Sequence, residues 1–156
     1  MPRINPVYVE RVKVLVRDAA YPSHMSMTLE ALDIGSCRIQ LLVKPEHFQP
    51  FGVVHGGVVA TLIDTATFWA GFLSLEREDD GLANVDLKLN YLAPVFGGTL
   101  IATGRQLRRG KRLSYTEASV HDQRGELVAH GTSTLMALPG KGLRLDVPRE
   151  LPDAAG

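Results

Sequence analysis

Two segments near the start of the chain, residues 27–34 and 37–43, alternate hydrophobic and polar side chains with a period of two. Gly35 and Ser36 lie between them, so this part of the sequence predicts a β-hairpin. The same alternation returns in residues 83–91. Three further strand-like runs follow, at residues 99–107, 113–122 and 126–137, joined by plausible turns at 108–111 and 123–125. The pattern predicts an antiparallel sheet of five to six strands.

The run at residues 83–91 is predicted to form one continuous strand. Strict alternation places Asn84, Asp86 and Lys88 on one face of that strand and the apolar residues on the other. Asn84 is therefore expected on the polar face.

One long helix is predicted between the hairpin and the later strands, at about residues 56–74. It is apolar on nearly every side, and a helix without a polar face has to be covered all round. A strongly bent antiparallel sheet wrapped around it would bury most of this surface, which gives an α+β fold with one central helix. Because one sheet covers only part of a helix, we expect a second subunit to close the remaining side.

The remaining segments contribute less to the predicted fold. Residues 7–20 are a weak helix candidate, because valine is a poor helix former. Residues 44–54 contain two prolines and a glycine, a composition typical of a loop. We expect a single domain over residues 1–140, with an N-terminal extension at about 1–22 and a C-terminal tail, 141–156, outside the core.

Composition narrows the range of functions. The 17 basic and 17 acidic side chains cancel, whereas proteins that bind nucleic acid or anionic membranes usually carry a basic excess. We therefore expect no nucleic-acid partner and no membrane partner. The single cysteine cannot form an internal disulfide, and the chain opens without a basic and then apolar leader, so a cytoplasmic location is expected.

Candidate chemistry is concentrated where the predicted helix begins, in residues 49–57. A helix start offers unpaired backbone N–H groups and the positive end of the helix dipole. Glycine lets a ligand approach the backbone closely, so Gly56 and Gly57 are candidates for polarising a carbonyl oxygen as negative charge develops on it. The alternative is that both glycines only ease a tight turn into the helix, and the sequence alone leaves the two roles open.

Asp64 lies in the middle of the apolar helix, where aspartate is unfavourable and is rarely buried without partners. It is either a structural residue bonded to hydroxyls such as Thr61 or Thr67, or a carboxylate that acts as nucleophile or general base. It follows Gly56 by eight residues, which is about 12 Å along the axis at about 1.5 Å per residue. One subunit cannot bring both groups to one reacting carbon, whereas two antiparallel helices about a two-fold axis can. We therefore expect a homo-oligomer, either a dimer or a dimer of dimers.

A longer pattern contains these residues: Gln49-x-x-Gly52-x-x-His55-Gly56-Gly57-x4-Leu62-x-Asp64. It resembles the signature of the hotdog-fold thioesterases, specifically the PaaI-like acyl-CoA group. Residues 85–94 resemble the central strand of the same group, and the likeness in element order covers roughly residues 20–137. A His-Gly-Gly triplet alone would be weak, but its distances to Gln49 and Asp64 match as well.

The resemblance implies hydrolysis of an acyl-CoA thioester to a free acid and CoA, with no cofactor, since CoA is part of the substrate. The Gly56 N–H would polarise the thioester carbonyl, and Asp64 of the partner subunit would attack it or activate the attacking water. Gln49, where many relatives carry asparagine, would bind the water or the carbonyl. His55 would orient the turn or the water, or only bond the backbone at the helix start. Asn84 matches a position that is often Ser or Thr and would assist the water.

Further residues are candidates for holding the substrate at the start of the helix, along it and at one turn. Gly57 would let the substrate approach the helix start. Phe68 is a candidate for lining an acyl pocket, although core packing is the safer expectation for most of the aromatic residues Phe68, Trp69 and Phe72. Four basic residues cluster around one turn: Arg108, Arg109, Lys111 and Arg112. They suit the phosphates of CoA, although such a turn is more often solvated surface.

The resemblance favours an aromatic or medium-chain acyl group, and Ala93 stands where the family commonly has arginine.

Two other functions fit parts of the sequence. A hotdog dehydratase is suggested by His47-Phe48, but that class needs an acidic residue fourteen positions after its histidine, and this position is Thr61. A non-catalytic acyl-CoA-binding protein would keep the glycines but would not need Asp64. Asp64 therefore favours the enzyme, and the binding protein remains the alternative.

Overall fold

A computed structural model describes residues 3–152, so the first two residues and the last four of the predicted tail lie outside the described residues. The elements are α1 (Pro6–Asp18), α2 (Ala20–His24), β1 (Met27–Asp33), β2 (Ser36–Leu42), a 3₁₀ turn (Pro45–His47), α3 (Gly56–Phe72), β3 (Gly81–Asn84), β4 (Lys88–Tyr91), β5 (Thr99–Arg108), β6 (Leu113–His121) and β7 (Leu127–Leu138). All strand pairs are antiparallel, in the order β1-β2-β5-β6-β7-β3, with β4 also paired to β7. The sheet curls around α3, which confirms the predicted α+β fold.

Helix α3 forms the centre of the core. Leu62, Ile63 and Ala66 are fully buried against the sheet. One stripe of the helix stays uncovered in the single chain, at a spacing of four, three and four residues. This stripe, called the open face below, consists of Gly57, Thr61, Asp64 and Phe68, which are exposed or half-buried. Residues at this spacing lie above one another on a helix, so the sheet leaves a single continuous side of α3 unprotected.

The run predicted as one strand at residues 83–91 is two strands, β3 and β4, which occupy one edge of the sheet beside β7. Asn84 pairs with Leu135 and Lys88 pairs with Thr132. The edge strand therefore covers four residues over a stretch in which β7 covers three. The edge therefore holds one extra residue, a β-bulge. An extra residue reverses the face to which all later side chains point.

Because of this bulge, Asn84 and Tyr91 both face the helix. Asn84 pairs with Leu135, which is fully buried, and Tyr91 pairs with the fully buried Ala129. Lys88 is exposed on the outer face. The prediction that Asn84 shares a face with Lys88 is therefore wrong, because strict alternation does not continue across an inserted residue.

The Asp86 side chain closes the gap that the bulge opens in the ladder. Its carboxylate accepts hydrogen bonds from the Thr134 N–H at 2.7 Å and from the Thr134 hydroxyl at 2.9 Å. The Asp86 backbone carbonyl accepts a further bond from the Ser133 hydroxyl at 2.7 Å. A side chain thus replaces the backbone acceptor that regular pairing would have supplied.

The C-terminal segment differs from its expected place outside the core. Leu143, Leu145 and Val147 are partly buried and pack against the core. Arg149 is 4% exposed, and its backbone carbonyl accepts a hydrogen bond from the Asn5 N–H at 2.8 Å. Apolar residues at alternate positions give this segment one face to bury, so it folds back onto the start of α1.

Asp86→Ala is expected to lower the free energy of unfolding by about 1.5–3 kcal/mol, because the Thr134 N–H loses a charged acceptor. Asp86→Asn keeps an acceptor oxygen and is expected to lose clearly less. Urea denaturation of the two variants and the wild type measures the difference. Equal losses in both variants would contradict the assigned hydrogen bond.

Candidate active site

His55 begins the site by capping α3. Its Nδ1 accepts a hydrogen bond from the Gly57 N–H at 2.8 Å, which is the backbone-bonding role that the sequence left open. A Cβ atom on Gly57 would lie 2.9 Å from the same nitrogen, so any larger residue would push the His55 ring out of its capping position. The Gly57 N–H is therefore occupied and does not point freely at a ligand.

The Gly56 backbone is arranged differently. Within residues 3–152 its N–H has no hydrogen-bond acceptor, and it lies at the positive end of the helix dipole. The Tyr91 hydroxyl donates to the Gly56 carbonyl at 3.1 Å, and a Cβ on Gly56 would lie 3.0 Å from Tyr91 Cζ. Gly56 thus allows the close packing of Tyr91, and its N–H remains available as a hydrogen-bond donor. Strict alternation already places Tyr91 on the apolar face of the predicted strand, but it carries no signal for the contact with Gly56, which depends on where the edge of the sheet meets the start of α3.

A cleft of about 370 Å³ opens at this helix start. Its lining consists of Gln49, Val53, Val54, Gly56, Val59, Tyr91, Leu92, Ala93, Pro94 and Val95. The Gln49 Oε1 accepts the Phe51 N–H within a tight turn, in which Gly52 has a φ of +83°. The Gln49 amide nitrogen has no acceptor in the described part of the chain, so its two N–H donors remain available in the cleft that Gly56 also lines.

His47 holds the loop that leads into α3. It is 3% exposed; its Nδ1 accepts the Lys44 N–H at 3.0 Å, and its carbonyl accepts the His55 N–H at 2.8 Å. Burial lowers the pKa of His47, because the charged imidazolium is disfavoured away from water. His47 is thus a buried residue that fixes the loop.

Asp64 lies at the centre of the open face. Its carboxylate has no hydrogen bond or ion pair with any of residues 3–152. The hydroxyls that could have satisfied it bond elsewhere: Thr67 donates to the Ile63 carbonyl at 2.8 Å, and Thr61 pairs with Tyr21 at 2.8 Å. Desolvation raises the pKa of Asp64 above its ordinary value, which makes its carboxylate a stronger base.

Asn84 ties the edge of the sheet to the turn of α3 that carries Asp64. Its Nδ2 lies within hydrogen-bond distance of the Asp64 carbonyl at 3.2 Å, the Thr67 hydroxyl at 3.1 Å and the Ser133 hydroxyl at 3.1 Å. The amide donors are therefore directed to protein groups. This geometry fixes the position of Asp64 along the helix.

The aromatic residues divide between core and open face. Trp69 and Phe72 are buried, with ring centroids 5.0 Å apart, which matches the expected core packing. Phe68 is only half-buried and packs edge-on against Trp69 at 5.0 Å. Phe68 is thus the one of the three that reaches the open face.

The basic turn lies at the other end of the sheet from Gly56. Leu113, next to the turn, pairs with Met136, whereas Tyr91 pairs with Ala129. These two partners are seven residues apart on β7, about 23 Å at about 3.3 Å per residue. The exposed residues of the turn that form no ion pair within residues 3–152 are Arg108, Arg109, Lys111 and Arg112.

In one chain, therefore, the predicted site residues fall into three places. Gln49 and Gly56 line the cleft and His55 caps the helix beside it, whereas Asp64 is not part of its lining. Asp64 lies with Asn84 about two turns further along α3, and the basic turn lies at the far end of the sheet. No group of three or more His, Cys, Asp or Glu within residues 3–152 is placed to hold a metal ion.

Residues 51–129, half of the chain, match the sequence model of the thioesterase superfamily. The chain belongs to the thioesterase superfamily. It is 32% identical over 110 residues to human acyl-coenzyme A thioesterase 13, which covers 69% of this chain and 77% of the human protein. Membership confirms the sequence-based expectation of a thioester hydrolase.

Solved structures of this superfamily share the fold. A thioesterase from Haemophilus influenzae superposes with a TM-score of 0.79 at 25% identity, covering 89% of this chain and 96% of that one. The PaaI protein of the E. coli phenylacetic acid degradation operon superposes with a TM-score of 0.76 at 20% identity, covering 85% and 94%. These matches confirm the predicted hotdog fold. Within residues 3–152, no helix of this thioesterase is long and apolar enough to cross a membrane.

His47 is expected to make stability depend on pH. Its folded-state pKa is lowered, so its contribution is fully present above about pH 6.5, the usual pKa in unfolded chains, and is lost as pH falls toward the folded pKa. His47→Asn keeps an acceptor near Nδ1 but does not titrate. Between pH 6.5 and 5 the slope of unfolding free energy against pH is expected to fall by up to about 1.4 kcal/mol per unit in this variant. Identical slopes in urea titrations would contradict the buried neutral histidine.

Proposed function

We propose that this protein hydrolyses an acyl-CoA with an aromatic or medium-chain acyl group, at a site that two subunits share. The supporting observation is one pair of unused groups: the Gly56 N–H and the Asp64 carboxylate, which lack partners within residues 3–152. The name of the human relative supports acyl-CoA as the substrate class. We also propose a cytoplasmic location, because the single cysteine cannot form an internal disulfide and fits a reducing compartment.

The open face supports an antiparallel dimer. Gly56 and Asp64 are about 12 Å apart along one helix, too far for a common reacting atom, so the Asp64 of one subunit must work with the Gly56 of its partner. The edge formed by β3 and β4 also carries exposed apolar side chains: Val85 (51%), Leu87 (37%) and Leu92 (54%). Pairing of two such edges would bury these side chains and bring the two open faces together. A dimer of dimers would use further surfaces.

In the proposed reaction, the thioester carbonyl oxygen accepts the Gly56 N–H of one subunit. Asp64 of the other subunit removes a proton from water as the water oxygen bonds to the carbonyl carbon. The oxyanion of the tetrahedral intermediate is stabilised by the helix N-terminus and by the Gln49 amide. When the C–S bond breaks, the sulfur of CoA takes the proton from Asp64, and a free acid and CoA result. These steps require no metal or redox cofactor.

Asp64 can also act as the nucleophile. Its carboxylate would then form a mixed anhydride with the acyl group as the C–S bond breaks, and water would hydrolyse the anhydride. A single turnover in ¹⁸O-water separates the two routes, because only the anhydride route can leave the label on Asp64.

The basic turn is proposed to bind the phosphates of CoA across the dimer. In one subunit, the β7 positions that pair with Leu113 beside the turn and with Tyr91 beside Gly56 are seven residues apart, about 23 Å along the strand. An antiparallel partner brings its own turn to the end where this subunit has Gly56. Arg109, Lys111 and Arg112 of one subunit would then face the nucleotide of a substrate held by the other.

The wild-type protein is expected to release thiol from at least one member of a panel of aromatic and fatty acyl-CoA esters. Asp64→Asn is expected to lose about 10²–10⁴ in kcat while remaining folded, because the base is removed. Glu76→Gln, an exposed carboxylate outside the site, is the matched control and should keep full activity. Undiminished hydrolysis by Asp64→Asn would refute the mechanism, and tight binding without hydrolysis by the wild type would identify the acyl-CoA-binding alternative.

The shared site predicts complementation between two inactive variants. Gly56→Pro removes the N–H at a helix position that tolerates proline, and its expected loss is about 10²–10³ in kcat. Random mixing of Gly56→Pro with Asp64→Ala should restore about one quarter of wild-type activity, because half of the dimers then hold one intact site of two. Gly56→Ala keeps the N–H and controls for the contact with Tyr91. Lack of recovery after proven subunit exchange would argue for sites within single chains.

Arg109→Ala and Lys111→Ala are each expected to raise KM for acyl-CoA by roughly 1.5- to 5-fold with kcat unchanged, the range of one exposed ion pair. The matched substrate is the N-acetylcysteamine thioester of the same acid, which has no phosphate and should show no change. The increase should shrink in high salt. Equal effects on both substrates would mean that the turn does not hold phosphate.

A further inference from the structure

Tyr21 lies beside the open face although it belongs to the N-terminal segment before the family match. It is part of α2, and its hydroxyl pairs with the Thr61 hydroxyl of α3 at 2.8 Å. Its side chain is nevertheless 55% exposed. A tyrosine whose hydroxyl is held while its ring remains uncovered offers an apolar surface of fixed position.

The helix geometry places Tyr21 opposite the edge of the sheet, with Asp64 between them. Each residue of a helix turns by about 100°, so Thr61 lies about 60° to one side of Asp64 and Thr67 about 60° to the other. Thr67 contacts Asn84 of β3, whereas Thr61 contacts Tyr21. Asp64 therefore lies between a wall formed by the sheet and a wall formed by Tyr21.

The proposed reaction assigns the substrate to the space between these walls. The partner's helix start and the CoA arm approach from the side of the β3 and β4 edge. The acyl group must then leave the carbonyl carbon along the other side of Asp64. That side is bounded by Tyr21 at Thr61 and by Phe68, which is half-buried and lies seven residues further along α3, about 10 Å.

We infer that Tyr21 determines acyl specificity: its ring ends the space beside Asp64 and limits the size of the acyl group. The inference rests on the proposed function for the identity of the ligand. It assigns the N-terminal segment a direct contact with the acyl group, and it predicts opposite effects for a smaller and a larger side chain at position 21.

The test compares kcat/KM for a long-chain and a medium-chain acyl-CoA in the wild type and four variants. Tyr21→Ala is expected to shift the long-to-medium ratio by about 10-fold or more toward the long chain, the usual effect of altered pocket size on discrimination. Tyr21→Trp should shift the ratio toward the medium chain, and Tyr21→Phe should change it least. Tyr115→Ala removes another exposed tyrosine (44%, against 55% for Tyr21) from the outer face of β6 and should leave the ratio unchanged.

If Tyr21 only stabilises the fold, its replacement by Ala or by Trp would lower kcat/KM for both substrates by the same factor. That result would overturn the inference. Affinities for non-hydrolysable acyl-CoA thioethers of the same two lengths, measured by calorimetry, separate this failure from that of the proposed function. If the wild type binds the thioethers but hydrolyses no ester, the proposed hydrolysis fails, and the affinity ratio alone decides the role of Tyr21. A wild type that binds neither thioether overturns both proposals.

Discussion

The structure depends on the need to cover a helix that has no polar side. Leu62, Ile63 and Ala66 are fully buried because the sheet curls around α3 from β1 to the edge formed by β3 and β4. A curled sheet cannot close on itself around a helix without becoming a barrel, so one stripe of α3 stays uncovered. The only ionisable residue of α3, Asp64, lies on that stripe. The requirement that shapes the fold therefore also leaves the candidate carboxylate accessible.

At the start of α3, the pattern of bonded and unbonded backbone groups matters more than the number of glycines. His55 accepts a hydrogen bond from the Gly57 N–H, and Tyr91 donates one to the Gly56 carbonyl. Among residues 3–152, the Gly56 N–H is left without an acceptor. Behind it, His47 holds both Lys44 and His55 in place. A donor fixed in this way needs little reorganisation when charge develops on a bound oxygen, which is the condition for effective electrostatic stabilisation.

The same logic applies to the turn of α3 that carries Asp64. Asn84 and Thr67 bond its backbone, whereas no described residue bonds its carboxylate. Rigid support of the backbone combined with an unpaired side chain is typical of a functional group rather than of a structural ion pair. The bulge at Asp86 makes this arrangement possible, since it allows both Asn84 and Tyr91 to point inward from the same edge of the sheet.

The sequence by itself determined the fold class, the central helix, the hairpin, the later strands and the family, because each depends on periodicity or on the spacing between Gln49 and Asp64 along the chain. It also predicted that Gly56 and Asp64 cannot meet within one subunit, which follows from the rise of a helix. Only the tertiary structure decided the direction of Asn84, the contact of Tyr91 with Gly56, the packing of residues 143–147 against the core and the contact of Tyr21 with Thr61. These features depend on one inserted residue and on contacts between segments far apart in the chain, and periodicity specifies neither the insertion nor the segment against which an apolar face packs.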